Sequence, residues 1–187
     1  MPDVIVIAGP NGAGKSTLAP HLLRDKLGIL EYVNADTIAQ GLSAFAPETA
    51  ALEAGRVMLH RLNELAEQNK DFAFETTLAT RFYSKWLTEL QTKGYHVHLV
   101  FLWLNSPELA IQRVAERVRA GGHNIREDTI RRRYDRGCEN FFRLYRPLID
   151  SWQVYDVSEE SPMEVAFGDK LEGQTTINES LWKTIEK

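Results

Sequence analysis

Lys15 and Ser16 stand behind a glycine-rich turn, Gly9-Pro10-Asn11-Gly12-Ala13-Gly14, with the spacing G-x-x-x-x-G-K-[ST]. In such a turn successive backbone N–H groups point inward and cradle an anion. A helix starting at the lysine adds the partial positive charge of its N-terminus. A lysine so placed reaches the outer phosphates of a nucleoside triphosphate, and the hydroxyl beside it is a hard oxygen ligand suited to Mg²⁺. The cradle is predicted to use Gly9, Asn11, Gly12, Ala13, Gly14, Lys15, Ser16 and Thr17. The plainer alternative is a strand-to-helix turn with an incidental Lys-Ser. It is disfavoured because Val4–Ala8 reads as a buried strand and Lys15–Arg24 as a helix, which is the context the motif needs. Nothing resembles the Asn-Lys-x-Asp guanine reader of GTPases, so ATP is the expected nucleotide.

Two acids could serve a second reactant. Asp36 follows a weak strand at Glu31–Asn34 and opens a helical turn. It is either an N-cap, the group that accepts a hydroxyl proton and orients that oxygen for in-line attack, or a further support for the metal, and the first two readings are compatible. Glu75 ends the apolar run Phe72-Ala73-Phe74. It is either a helix-end acid, a support for the magnesium shell together with Ser16, or a partner for a substrate hydroxyl.

Positive charge is concentrated in one place. Ten of the fourteen arginines lie between Arg113 and Arg146, with no lysine among them. Arginine alone suits planar, bidentate partners such as phosphate. Arg119-Ala120-Gly121-Gly122-His123-Asn124 joins two helices through a glycine pair, as a lid would. On the second helix Arg132, Arg136 and Arg143 share one stripe, opposite Ile130, Tyr134, Phe141 and Tyr145. A solvated basic face is the competing reading. Arg131, Arg132 and Arg133 project about 100° apart, so one site cannot use all three.

These groups need positioning. Further strands are predicted at Tyr95–Leu104 and Trp152–Val157. Further helices are predicted from Pro47 to about Asn69, from Thr80 to Lys93, and from Pro107 behind an N-cap at Ser106. Alternating strands and helices imply an α/β fold: a doubly wound parallel sheet of about five strands with helices on both faces, as in P-loop kinases. Ligands bind beyond the carboxyl ends of such strands, which gathers the cradle, Asp36 and Glu75 along one edge. One domain is expected over 1–187, with the lid at about 113–146 and a small C-terminal hairpin and helix at about 160–187.

Composition sets the outer limits. A hydrophobic fraction of 43% and a charged fraction of 26% exclude wholesale disorder. The net charge of −4 argues against general nucleic-acid binding. The lone cysteine, Cys138, cannot form an internal disulfide, and no signal-peptide pattern or long apolar run is present, so a soluble cytoplasmic protein with no membrane association is expected. His96 and His98 alternate on one strand face without a third metal ligand at suitable spacing and are read as packing residues.

Taken in order, the segments are similar to one family. Gly-Pro-Asn-Gly-Ala-Gly-Lys-Ser-Thr, Asn-Ala-Asp-Thr-Ile-Ala, Phe-Glu-Thr-Thr-Leu-Ala and Arg-Val-Arg-Ala-Gly-Gly-His-Asn-Ile-Arg-Glu-Asp-Thr-Ile-Arg-Arg-Arg-Tyr resemble the zeta toxins, over about Val4 to Val157. The resemblance implies a kinase that phosphorylates the amino sugar of UDP-N-acetylglucosamine, with ATP and Mg²⁺. It implies that Lys15 and Ser16 are the P-loop pair, Asp36 the base, and Glu75 with the adjoining Thr76 substrate-side groups. Arg119 and Arg132 match the lid arginines that hold phosphate, and Arg81 matches a further basic residue of the substrate pocket. It also implies a small antitoxin protein as partner. Two other outcomes stay open: a kinase of another metabolite, an antibiotic or a nucleic-acid end, and an ATP-dependent regulatory module that grips RNA or protein through the arginines.

Overall fold

The structure, a computed structural model, describes residues 1–122 and 124–186. Alternation along the first strand decides the layering. In β1 (Asp3–Ala8), Val4, Val6 and Ala8 join one apolar cluster, and Ile5 and Ile7 join another. A strand covered on both faces needs apolar residues at nearly every position, and this one has them. Beside it lie β3 (Phe72–Thr76) and β4 (His96–Trp103), with β2 (Tyr32–Val33) and β5 (Ser151–Asp156) outside them, all parallel.

One face carries α1 (Lys15–Ala19) and α5 (Pro107–Arg119), which bury Ala19, Ala110 and Val114 against Ile7, Val100 and Leu102. The other carries α3 (Ala51–Glu67), α4 (Phe82–Thr92) and the C-terminal α7 (Glu179–Ile185), which bury Met58, Leu62, Leu87 and Trp182 against Phe72, Phe74 and Phe101. Two helices sit at the carboxyl ends of the strands. They are α2 (Ala35–Leu42) and α6 (Glu127–Asn140), the latter running on through π-wound turns at Phe141–Tyr145.

The expected α/β sheet is present, but it has seven strands. The hairpin of β6 (Met163–Asp169) and β7 (Gly173–Thr176) extends it antiparallel from β5, in the order β2-β3-β1-β4-β5-β6-β7. Left alone, β5 would present an open edge of unpaired backbone groups; the hairpin covers it. The first helix also departs from the smooth Lys15–Arg24 span. It changes at Pro20, which has no N–H to donate, into π-type winding over Pro20–Lys26. Ser106 caps α5 as expected, accepting from the Leu109 N–H at 3.2 Å. Among the described residues no helix is long and apolar enough to cross a membrane.

Candidate active site

Strand register brings the chemistry together. Ile7 lies opposite Glu75, and Val33 lies opposite Phe74. Asn34, the first residue past β2, and Glu75 therefore leave the sheet side by side, next to Gly9. At Gly9 the backbone has φ +143°, and a Cβ there would stand 2.3 Å from the Leu102 carbonyl oxygen. Only glycine lets the loop leave β1 this close to β4.

The cradle then folds over Lys15, which is 6% exposed. Its Nζ donates to the Gly9 and Pro10 carbonyls at 2.9 and 2.8 Å and lies 3.7 Å from Glu75 Oε1. Burial pushes the Lys15 pKa below the ordinary 10.5; the charges of Glu75 and Asp36 oppose the shift, and those of Arg117 and Arg133 add to it. Asn11 is buried, while Ser16 and Thr17 face solvent at the start of α1.

Glu75 is the hub of a network the sequence did not reveal. Its Oε2 accepts from Ser16 Oγ at 2.8 Å, Tyr32 OH at 2.6 Å and Asn34 Nδ2 at 2.8 Å. A serine hydroxyl beside a carboxylate is a hard-oxygen pair of the kind Mg²⁺ accepts when phosphates and water complete its shell, so the residues present fit that ion. Tyr32 and Asn34 had one legible signal: both flank the end of a strand that pairs with the strand carrying Glu75.

Asp36 does not cap its helix. Asn34 does, its Oδ1 accepting from the Asp36 and Thr37 N–H groups at 2.7 and 3.3 Å. This settles the capping alternative against Asp36, which sits in the first turn of α2 with its charge felt by both Lys15 and Arg133. Thr76 serves a turn, with its hydroxyl accepting from the Leu78 N–H at 3.1 Å.

The arginines fall differently from the expected pair. Arg132 and Arg119 are exposed, whereas Arg133 and Arg117 are half-buried and direct their charge at Lys15. Arg133 Nη1 lies 3.4 Å from Asn11 Oδ1, so it is the member of the Arg131–Arg133 trio that reaches the cradle. Burial lowers its pKa, Asp36 raises it and Arg132 lowers it further. Helix phase explains the choice. Arg133 is about 60° from the buried Ile130 on α6, and Arg117 about 60° from the buried Val114 on α5, at 100° per residue. Arg132 and Arg119 are about 160° and 140° from those same anchors and face out. A side chain that flanks an apolar stripe reaches a neighbouring site; one that opposes the stripe meets water.

Two further ties hold α6 in place. Arg131 pairs with Glu108 on α5, and Tyr134 OH donates to the Leu104 carbonyl at 2.6 Å. Gly121 and Gly122 follow α5; His123, named above as part of the lid, lies outside the described residues. A cleft of about 1010 Å³ opens between α2 and the connection from α5 to α6, bordered by Asp36, Phe45, Gly122 and Arg133. Arg81 lines a second cavity of about 680 Å³, with Arg136 and Arg143.

Known proteins share this fold. A likeness spanning the chain is found in the PezAT toxin–antitoxin system of Streptococcus pneumoniae (TM-score 0.69, 20% identity, 98% of this chain and 78% of that one). The AvrRxo1-ORF1:-ORF2 complex solved with ATP gives a TM-score of 0.78 at 15% identity; all of this chain is covered, and it spans 64% of the length of its match. A gluconokinase from Sinorhizobium meliloti gives 0.53 at 17% identity, with 84% of each chain covered. The fold is thus that of the P-loop kinases. A Haemophilus influenzae protein described as uncharacterized is 32% identical over 130 residues, 70% of this chain and 91% of its own length. The Zeta toxin family model matches residues 1–161, and the chain belongs to that family.

Proposed function

We propose that the protein is an ATP-dependent kinase that moves the γ-phosphate onto a hydroxyl of a small molecule, with UDP-N-acetylglucosamine as first-choice acceptor. One observation carries this reading. Asp36 stands at a cleft of about 1010 Å³ whose far wall bears Arg133, and both charges act on the buried P-loop lysine. A carboxylate, a cradle and an arginine around one space are what phosphoryl transfer needs, because its loose transition state is served chiefly by positioning and charge.

In this reading the cradle amides and Lys15 hold the triphosphate. Asp36 accepts the acceptor's proton as its oxygen forms a bond to the γ-phosphorus and the bond to the leaving diphosphate breaks. Arg133 and Arg117 offset charge developing on the transferred group. Magnesium, held at Ser16 and Glu75, would screen the phosphate oxygens. Support for ATP comes from the AvrRxo1 complex solved with that nucleotide, and support for a protein partner comes from the pneumococcal toxin–antitoxin system.

Incubation with ATP, Mg²⁺ and UDP-N-acetylglucosamine is expected to yield a phosphorylated sugar nucleotide, read by mass spectrometry. Slow ATP hydrolysis as the sole outcome would remove that acceptor. Asp36→Asn is expected to bind ATP normally and to lose about 100-fold or more in transfer, in line with the loss of a general base.

A further inference from the structure

Asn34 has two polar ends, and the fold uses both. Its Nδ2 donates to Glu75 Oε2 at 2.8 Å and lies 3.3 Å from both Ser16 Oγ and Tyr32 OH. Its Oδ1 caps α2, accepting from the N–H of Asp36 itself. One buried side chain thus ties the carboxylate beside the P-loop serine to the helix that carries Asp36. Tyr32 completes the grip, with a hydroxyl 2.6 Å from the same oxygen.

We propose that Tyr32 and Asn34 are positioning residues that hold the Glu75 carboxylate against the Ser16 hydroxyl for a divalent cation bound with the nucleotide. The inference rests on the kinase reading, but only on its nucleotide half. Three donors on one carboxylate oxygen fix its direction before any ligand arrives. They also leave Oε1, turned toward Lys15, as the less occupied face. When the Ser16 hydroxyl turns to a cation, Tyr32 and Asn34 remain to keep Glu75 from collapsing onto Lys15, whose ammonium lies 3.7 Å away. Outer partners of this kind commonly matter nearly as much as the ligands they orient. The carbonyl end of Asn34 adds a consequence. The same side chain thus fixes both the carboxylate and the first turn of α2.

Calorimetric titration of ADP into the full chain, with Mg²⁺ and separately with EDTA, tests the assignment without any acceptor. The variants are Tyr32→Phe and Asn34→Ser; serine retains a good N-cap for α2 but is too short to reach Glu75. Each is expected to lose about 10- to 100-fold of the magnesium-dependent gain in affinity, the usual cost of removing an outer partner of a metal ligand. Affinity in EDTA should stay within about twofold, since the backbone cradle is untouched. In a Glu75→Gln background, adding Tyr32→Phe should change little further, because the tyrosine acts through that carboxylate. Variants that keep the full magnesium gain, or that lose affinity equally in EDTA, would overturn the positioning role. Wild type binding no ADP in either condition would instead bring down the nucleotide site, and this role with it.

Discussion

At the scale of single residues, the electrostatics of Lys15 make the sharpest claim. Its pKa lies below 10.5 in the ligand-free protein because it is buried, and bound phosphates would raise it again. The bound state then holds more protons than the free one. Nucleotide affinity should be complete below the free-state pKa and should fall as pH rises through it toward the bound-state value. Titrations from neutral to alkaline pH, in two buffers of different ionisation enthalpy, would show proton uptake on binding. A second claim separates neighbouring arginines. Arg133→Ala should lower the transfer rate by about 100- to 1000-fold, as loss of one transition-state donor does. Arg132→Ala, at an exposed position, should change it far less. Equal effects in a steady-state kinase assay would mean that α6 presents a different face during turnover.

At the scale of elements, the segment leaving β3 is held in a costly shape by α6. Leu78 has φ +55° and is fully buried, a conformation an L-residue adopts only when its surroundings impose it. Burial of the leucine contributes about 2 kcal/mol toward that cost. The Leu78 carbonyl accepts from Asn140 Nδ2 at 2.7 Å, and the Thr80 carbonyl from Tyr145 OH at 2.7 Å. Gly137 lets the helix approach closely, since a Cβ there would lie 2.4 Å from the Thr77 carbonyl oxygen. Gly137→Ala should therefore destabilise the protein by about 1–3 kcal/mol through overpacking, measured by urea unfolding. It should also weaken the magnesium-dependent part of nucleotide binding, because Glu75 precedes this segment.

At the scale of the whole molecule, one cation adds to the strand pairing and buried face that hold the C-terminal hairpin and α7 on the sheet. The Arg146 guanidinium lies 5.3, 5.8 and 5.6 Å from the ring centres of Phe142, Trp152 and Trp182, and it pairs with Glu186. Trp152 and Trp182 stack beneath it at 5.6 Å. Arg146→Ala should cost about 1–2 kcal/mol, the range for a partly desolvated cation–π contact. Hydrogen exchange should speed up in α7 and β7 while the cradle keeps its protection. Uniform loosening would show that these elements share the stability of the entire sheet.

The P-loop, the parallel strands and their helices were legible because they rest on local rules. Gly9-to-Ser16 spacing, β-branched runs and the Ser106-Pro107 start each act within a few residues of themselves. Asp36 and Glu75 were identifiable as strand-end acids for the same reason. What only tertiary structure decided was partnership. Whether Asn34 or Asp36 caps α2, whether Tyr32 reaches Glu75, and whether Arg132 or Arg133 meets the cradle depend on strand register and helix rotation. Those are set by how two apolar faces pack, an interaction summed over the whole core and not encoded at any one position.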